Sequence, residues 1–108
     1  MPRPNRSAPL THPDAAQIDL LGVLHALADP TRMTIVQTLA ASPERACGTF
    51  PVQVAPSTLT HHFRVLREAG VIRQREEGTR RWTSLRTDDL SARYPGLLDR
   101  ILDASRTP

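Results

Sequence analysis

The stretch STLTHHFRVLREAG at residues 57–70, followed at once by VIRQREEGTRRWTSLR at residues 71–86, decides how this 108-residue chain is read. In the first part Leu59, Phe63 and Leu66 recur at i, i+4 and i+7, with Val65 and Ala69 beside them. That is the apolar stripe of a helix of about three to four turns. Gly70 then supplies the residue that most easily takes a left-handed C-terminal stop. In the second part β-favouring residues flank a turn at Glu77 and Gly78, as expected of a hairpin with a polar, basic tip.

Once Leu59, Phe63 and Leu66 face a core, Thr58, Thr60, His61, Arg64 and Arg67 fall on or beside the opposite face, with Ser57 just ahead of them. Such a row of donors suits the major groove of DNA. Hydroxyls and imidazole near the first turn reach base edges or phosphates, and the helix dipole there favours phosphate. Arg64 and Arg67, further along, are expected on the DNA backbone. The plain alternative for an isolated helix is a solvated face, and the hairpin that follows directly weighs against it. Around Gly78, Arg75, Arg80 and Arg81 are placed for a prong along or in the minor groove, with Trp82 packing at its base. His61 and His62 are adjacent, so on a helix they diverge by about 100° and do not chelate one metal together. His62 reads as a packing residue.

Charge placement agrees. Residues 57–86 hold seven arginines against three acids, a net +4, while the remainder of the chain sums to −1. A polyanion-binding surface explains this, and small basic proteins also reach it by chance. All fourteen basic residues are arginine. A guanidinium fork binds phosphate bidentately, although genome composition alone also produces such a bias.

Upstream of the deciding stretch, residues 43–56 contain Pro43, Gly48, Pro51 and Pro56, which interrupt any long helix; Thr49 is the one candidate cap for a turn or two. Before them a helix is expected from Pro30 to about Ala41, with Asp29 as its cap and Ile35, Val36, Leu39 and Ala40 inward. Another is expected from near Asp14, with Leu20, Leu24 and Leu27 on one stripe and Ile18, Leu21 and Ala28 on the next. A helix apolar nearly all round needs partners on two sides, and in a short chain the second is most simply another subunit. Residues 1–13, with four prolines and almost nothing large and apolar, read as a disordered arm. Downstream, Thr87 to Asp89 are expected to cap a helical segment. Beyond Pro95, Leu97, Leu98, Ile101 and Leu102 form a helical stripe, with residues 105–108 as a tail. The body of the domain is thus residues 14–104.

Helix, helix, broken segment, helix ending in glycine and basic hairpin is the order of a winged helix-turn-helix. The expected fold is mainly α, with a two-stranded hairpin as wing, and homodimeric. LHALADPTR at 24–32, STLTHHFRVLREAGVI at 57–72 and REEGTRRWTSL at 75–85 resemble the ArsR/SmtB family of bacterial repressors, over roughly residues 18–102. The resemblance implies a transcriptional regulator that binds a palindromic operator in double-stranded DNA as a homodimer and releases it when an effector binds. The seam is expected at Leu20, Leu21 and Leu24 of the first helix and at Leu97, Leu98 and Ile101 of the last.

The chain departs from its metal-sensing relatives where they carry ligands. They have two cysteines separated by one residue, and here only Cys47 is present. Others use histidine and carboxylates on the last helix, which here has Asp88, Asp89, Asp99 and Asp103 in that region but no histidine. No metal and no cofactor is therefore expected, and the effector stays unnamed. Cys47 is left as either a sensor thiol or an inert packed one.

Composition excludes other classes. A single cysteine makes neither an intrachain disulfide nor a structural zinc site. No apolar run approaches the roughly 18 residues of a membrane span, and MPRPNRSAPLTHP lacks the apolar stretch of a signal peptide, so a cytoplasmic protein without a membrane partner is expected. No phosphate loop, nucleophile motif or ligand pair suggests an enzyme. A winged-helix module that docks proteins without binding DNA is the remaining alternative.

Overall fold

The computed structural model describes residues 10–106. Within them the chain forms α1 (Leu20–Leu27), α2 (Pro30–Ala41), β1 (Arg45–Ala46), α3 (Pro56–Glu68), β2 (Ile72–Glu77), β3 (Arg80–Leu85), α4 (Thr87–Arg93) and α5 (Leu97–Arg106), with 3-10 turns at Ala15–Gln17 and Cys47–Thr49. This is the winged helix-turn-helix order. The wing, however, is three-stranded, in the order β1-β3-β2, all antiparallel. Arg45 and Ala46 pair with Thr83 and Trp82, so the proline-broken segment contributes a strand that two residues are too few to signal. Thr49 caps no helix; its hydroxyl donates to the Ala46 carbonyl at 2.7 Å and closes the 3-10 turn.

The starts of α1 and α2 follow from short polar side chains. Asp29 Oδ2 accepts the Arg32 N–H at 3.0 Å, with Pro30 at the first position of α2. The first helix starts later than the Leu periodicity suggests. Asp14 and Gln17 cap only a 3-10 turn, and Asp19 restarts the chain as α1 by accepting the Gly22 N–H at 2.7 Å. Between them Ile18 is extended and buried. It lies where Gly70 ends α3, so close that a Cβ on Gly70 would fall 2.4 Å from Ile18 Cγ1. Ile18 leaves the helical path because that site in the core takes its side chain.

The core joins Val23 and Leu27 of α1, Ile35, Val36 and Leu39 of α2, Phe63 and Leu66 of α3, Val71, Ile72, and Leu90 and Leu102 of the last two helices. Phe50 closes its edge against Phe63, ring centroids 5.3 Å apart at 66°. Ala40, expected inward, is exposed. α4 starts on Thr87 itself without a side-chain cap, Asp88 and Asp89 lying in its first turn. α5 runs through the expected tail as far as Arg106, with Ser105 tied to Gln37 at 2.8 Å.

Residues 1–9 of the expected arm lie outside the described residues. Its last residues are engaged. His12 Nε2 accepts the Gln74 backbone N–H at 3.0 Å, and Arg86 donates to the Pro13 carbonyl at 2.7 Å. β2 is an edge strand, and His12 covers one of its open donors.

Candidate nucleic-acid interface

α3 begins at Pro56 after Ala55, without a side-chain cap, so its first-turn N–H groups remain available as donors. Ser57, Thr58, Thr60, His61 and Arg64 are all exposed along it. The Thr60 hydroxyl donates to the Pro56 carbonyl at 3.0 Å, which leaves its oxygen lone pairs to face outward partners. His62 turns the other way, as packing requires. It is buried, and its Nδ1 lies 3.1 Å from an Arg32 guanidinium nitrogen and 3.8 Å from Asp29 Oδ2. Because a guanidinium only donates, Nδ1 of His62 is the acceptor.

The arginines divide into two groups. Among the described residues Arg64 and Arg80 have no ion-pair partner, although the Arg80 guanidinium lies 5.9 Å from the centroid of the Trp82 ring. Arg75 is held by both oxygens of Glu44, at 2.9 and 3.2 Å, and reaches Glu77 at 3.5 Å; Glu44 raises its pKa above the ordinary arginine value. Arg81 pairs with Glu76 at 3.3 Å. Arg67 is half-buried and donates to Gln74 Oε1 at 2.7 Å. Burial, then the nearby Arg81 charge, lowers its pKa.

The first turns of α3 and the tip of the hairpin form the two walls of an open cleft of about 370 Å3. Thr60 stands on the helix wall and Glu76, Thr79 and Arg81 on the hairpin wall, and Leu59 and Phe63 also line it. Cys47 also lines it, half-buried. Its sulfur accepts from Gln74 Nε2 at 3.3 Å and lies 3.5 Å from Thr83 Oγ1.

Sequence reasoning passed over Gln74, Glu44 and Arg32. Gln74 follows Ile72 at the strand period of two and so points inward, and Arg32 precedes Ile35 and Val36 at helical spacing, so both were readable as buried polar groups. Glu44 carried no local signal, because its partner lies thirty-one residues away.

The sequence pattern of the helix-turn-helix domain family matches residues 27–75. An uncharacterized HTH-type transcriptional regulator of Bacillus subtilis (strain 168), YceK, is 33% identical over 82 residues, which cover 73% of this chain and 82% of that protein. A solved possible transcriptional regulator for arsenical resistance is 32% identical, with a TM-score of 0.57 over 82% of this chain and 100% of that one. An ArsR family transcriptional regulator superposes with a TM-score of 0.63 over 91% and 100% of the two chains, at 22% identity, and shares the fold. The chain belongs to the ArsR-type winged helix-turn-helix regulators. It is a DNA-binding transcription regulator and not an enzyme, and the reading as a protein-docking module is not favoured.

In this ArsR-type regulator the leucines expected at the dimer seam fall into two sets. Leu20, Leu21 and Leu24 are 41, 76 and 39% exposed. Leu97, Leu98 and Ile101 are half-buried and line a small apolar pocket with Leu27 and Tyr94 of the same chain. A paired-thiolate metal centre does not fit the residues present, and no group of three or more histidine, cysteine or acidic side chains is placed to hold a metal ion among the described residues. No helix among them is long and apolar enough to cross a membrane.

Proposed function

We propose that two copies of this regulator repress transcription by holding a palindromic operator. α3 enters the major groove, and the β2–β3 hairpin runs along or into the minor groove. The observation that carries the reading is the open cleft between α3 and the hairpin tip, lined by Thr60 and by Arg81 with its partner Glu76, together with Arg64 on the helix and Arg80 on the hairpin, which lie outside that lining, are exposed and, among the described residues, have no ion-pair partner. A phosphodiester strand passing between two such prongs meets hydroxyls and first-turn N–H groups on one side and guanidinium on the other. The roles divide accordingly. Ser57, Thr58, Thr60 and His61 read bases or first-turn phosphates, while Arg64 and Arg80 contact the backbone. Arg75 and Arg81 carry acidic partners into the complex, so each must exchange a carboxylate for a phosphate, and their net contribution is smaller.

The test is a gel-shift titration with the region upstream of the regulator's own operon. If a dimer neutralises about six phosphates, log affinity falls against log salt with a slope near −5. Arg80→Ala, removed from both protomers, flattens that slope by about 1.8. Thr60→Ala relaxes sequence choice and leaves the slope intact. Absence of salt-sensitive binding refutes the proposal, and identical effects of the two substitutions refute the division of roles.

A further inference from the structure

We infer that Arg67 and Gln74 form a brace that sets the angle between α3 and the hairpin, so that Arg67 positions the DNA-reading surface and does not itself hold a phosphate. The inference rests on reading α3 and the hairpin as the two DNA-contacting prongs. It reassigns a residue that spacing alone places beside Arg64.

Gln74 is 3% exposed, and its amide is used at both ends. Its Oε1 accepts from Arg67 at 2.7 Å, while Nε2 donates to Thr83 Oγ1 at 3.1 Å and to Cys47 Sγ at 3.3 Å. The amide orientation is dictated by Arg67, because a guanidinium offers donors only. The backbone N–H of the same residue donates to His12 Nε2 at 3.0 Å. The side chain thereby joins β2 to the last turn of α3, to β3 and to the 3-10 turn after β1, while the backbone of the same residue holds the N-terminal segment.

Arg67 is withdrawn from the surface on which Arg64 stands. It is half-buried, and among the described residues its Nε is sealed from solvent without a hydrogen-bond partner. A phosphate ligand would have to break the bond at Gln74 and leave that buried amide oxygen unsatisfied, which opposes the exchange. The bond joins an ionised donor to a neutral acceptor at a distance typical of the strong class. It adds a polar tie to two elements that are joined by the short link at Ala69 to Val71 and share the core through Leu66 and Ile72, and contacts in a groove require placement within about 0.5 Å.

The experiment measures the salt dependence of binding to a duplex selected from random sequences. The proteins are the full chain, Arg67→Met, Arg67→Lys, Gln74→Met and the double variant Arg67→Met/Gln74→Met, with thermal melts as a control for folding. The expected result is that each Met variant weakens binding about five- to tenfold at fixed salt while the slope stays within about 0.5 of wild type, and that the double variant is no weaker than either single one. Arg67→Lys, which keeps one donor for Gln74 Oε1, restores most of the affinity. A slope flattened by about 1.8 in Arg67→Met makes Arg67 a phosphate contact and overturns the brace. So do additive losses in the double variant. If Gln74→Met fails to fold, the slope of Arg67→Met decides alone. A wild-type chain that binds no duplex overturns the operator reading first, and the brace's role with it.

Discussion

Gly70 meets two separate demands. Its φ of +83° is a conformation that side chains with a Cβ resist, and any Cβ there would lie 2.4 Å from Ile18 Cγ1. Gly70→Ala is expected to lower stability by roughly 2–4 kcal/mol, read as a fall in urea midpoint at unchanged m-value. Gly78, at φ +63° with open space around it, accepts asparagine at a cost below about 1 kcal/mol. Equal losses at the two positions would contradict the account. His12 makes a different kind of prediction. Burial first, then the Arg67 charge, with Arg73 and Arg86 adding to it, lowers its pKa below the usual 6.5. The unfolded chain therefore takes up the proton before the folded one does. Stability that is complete above about pH 6.5 drains as pH falls through the lowered value. His12→Gln offers an acceptor to the Gln74 N–H without titrating, so its melting temperature should fall less than that of wild type between pH 7.5 and 5. Parallel curves would remove His12 from the explanation.

At the scale of elements, α1, α2 and α3 are tied together by one buried cation. Arg32 donates from Nε to the Ala26 carbonyl at 2.7 Å and from NH2 to the His25 carbonyl at 3.3 Å, and it meets His62 of α3 at 3.1 Å. It thus satisfies carbonyls at the C-terminal end of α1, which is too short to be stable by itself. Arg32→Met should cost about 2–4 kcal/mol by leaving those carbonyls and the His62 ring without a donor, as measured by chemical denaturation. A loss below about 1 kcal/mol would show that water replaces the guanidinium freely. This junction also shows what was legible locally. Asp29 and Pro30 announced the start of α2, and the stripe of Leu59, Phe63 and Leu66 announced α3, because caps and helical periods are written within a turn or two of sequence. β1 was not legible, since two residues become a strand only when β3 is beside them. The break at Ile18 was not legible either, because the site it fills is built by residues fifty positions away.

For the whole molecule, the exposed face of α1 carries the argument for two copies. Leu21 is 76% exposed and flanked by the partly exposed Leu20 and Leu24. Among the described residues nothing covers that face, and the second copy proposed above would bury it. Leu21→Glu should leave the melting curve of the monomer nearly unchanged and shift sedimentation toward the single-chain mass, whereas a variant that remains dimeric would move the seam elsewhere. Leu98 is a poorer probe, because it packs against the core of its own chain. Two protomers joined through α1 would present their α3 helices together, and operator half-sites one turn of duplex apart, about 34 Å, are the corresponding expectation.

The order of the main helices and the hairpin, the cap of α2, the apolar stripe of α3 and the concentration of arginine between Ser57 and Arg86 were legible along the chain. Each depends on neighbours within a few positions, where backbone geometry imposes fixed periods. Which of those arginines remain free was decided by folding. Glu44 reaches Arg75, Gln74 takes Arg67, and Glu76 takes Arg81, while Arg64 and Arg80 are exposed and, among the described residues, without an ion-pair partner. Charge follows composition, but the availability of a charge depends on which opposite or polar group the fold brings within about 4 Å of it, and that distance is a property of packing.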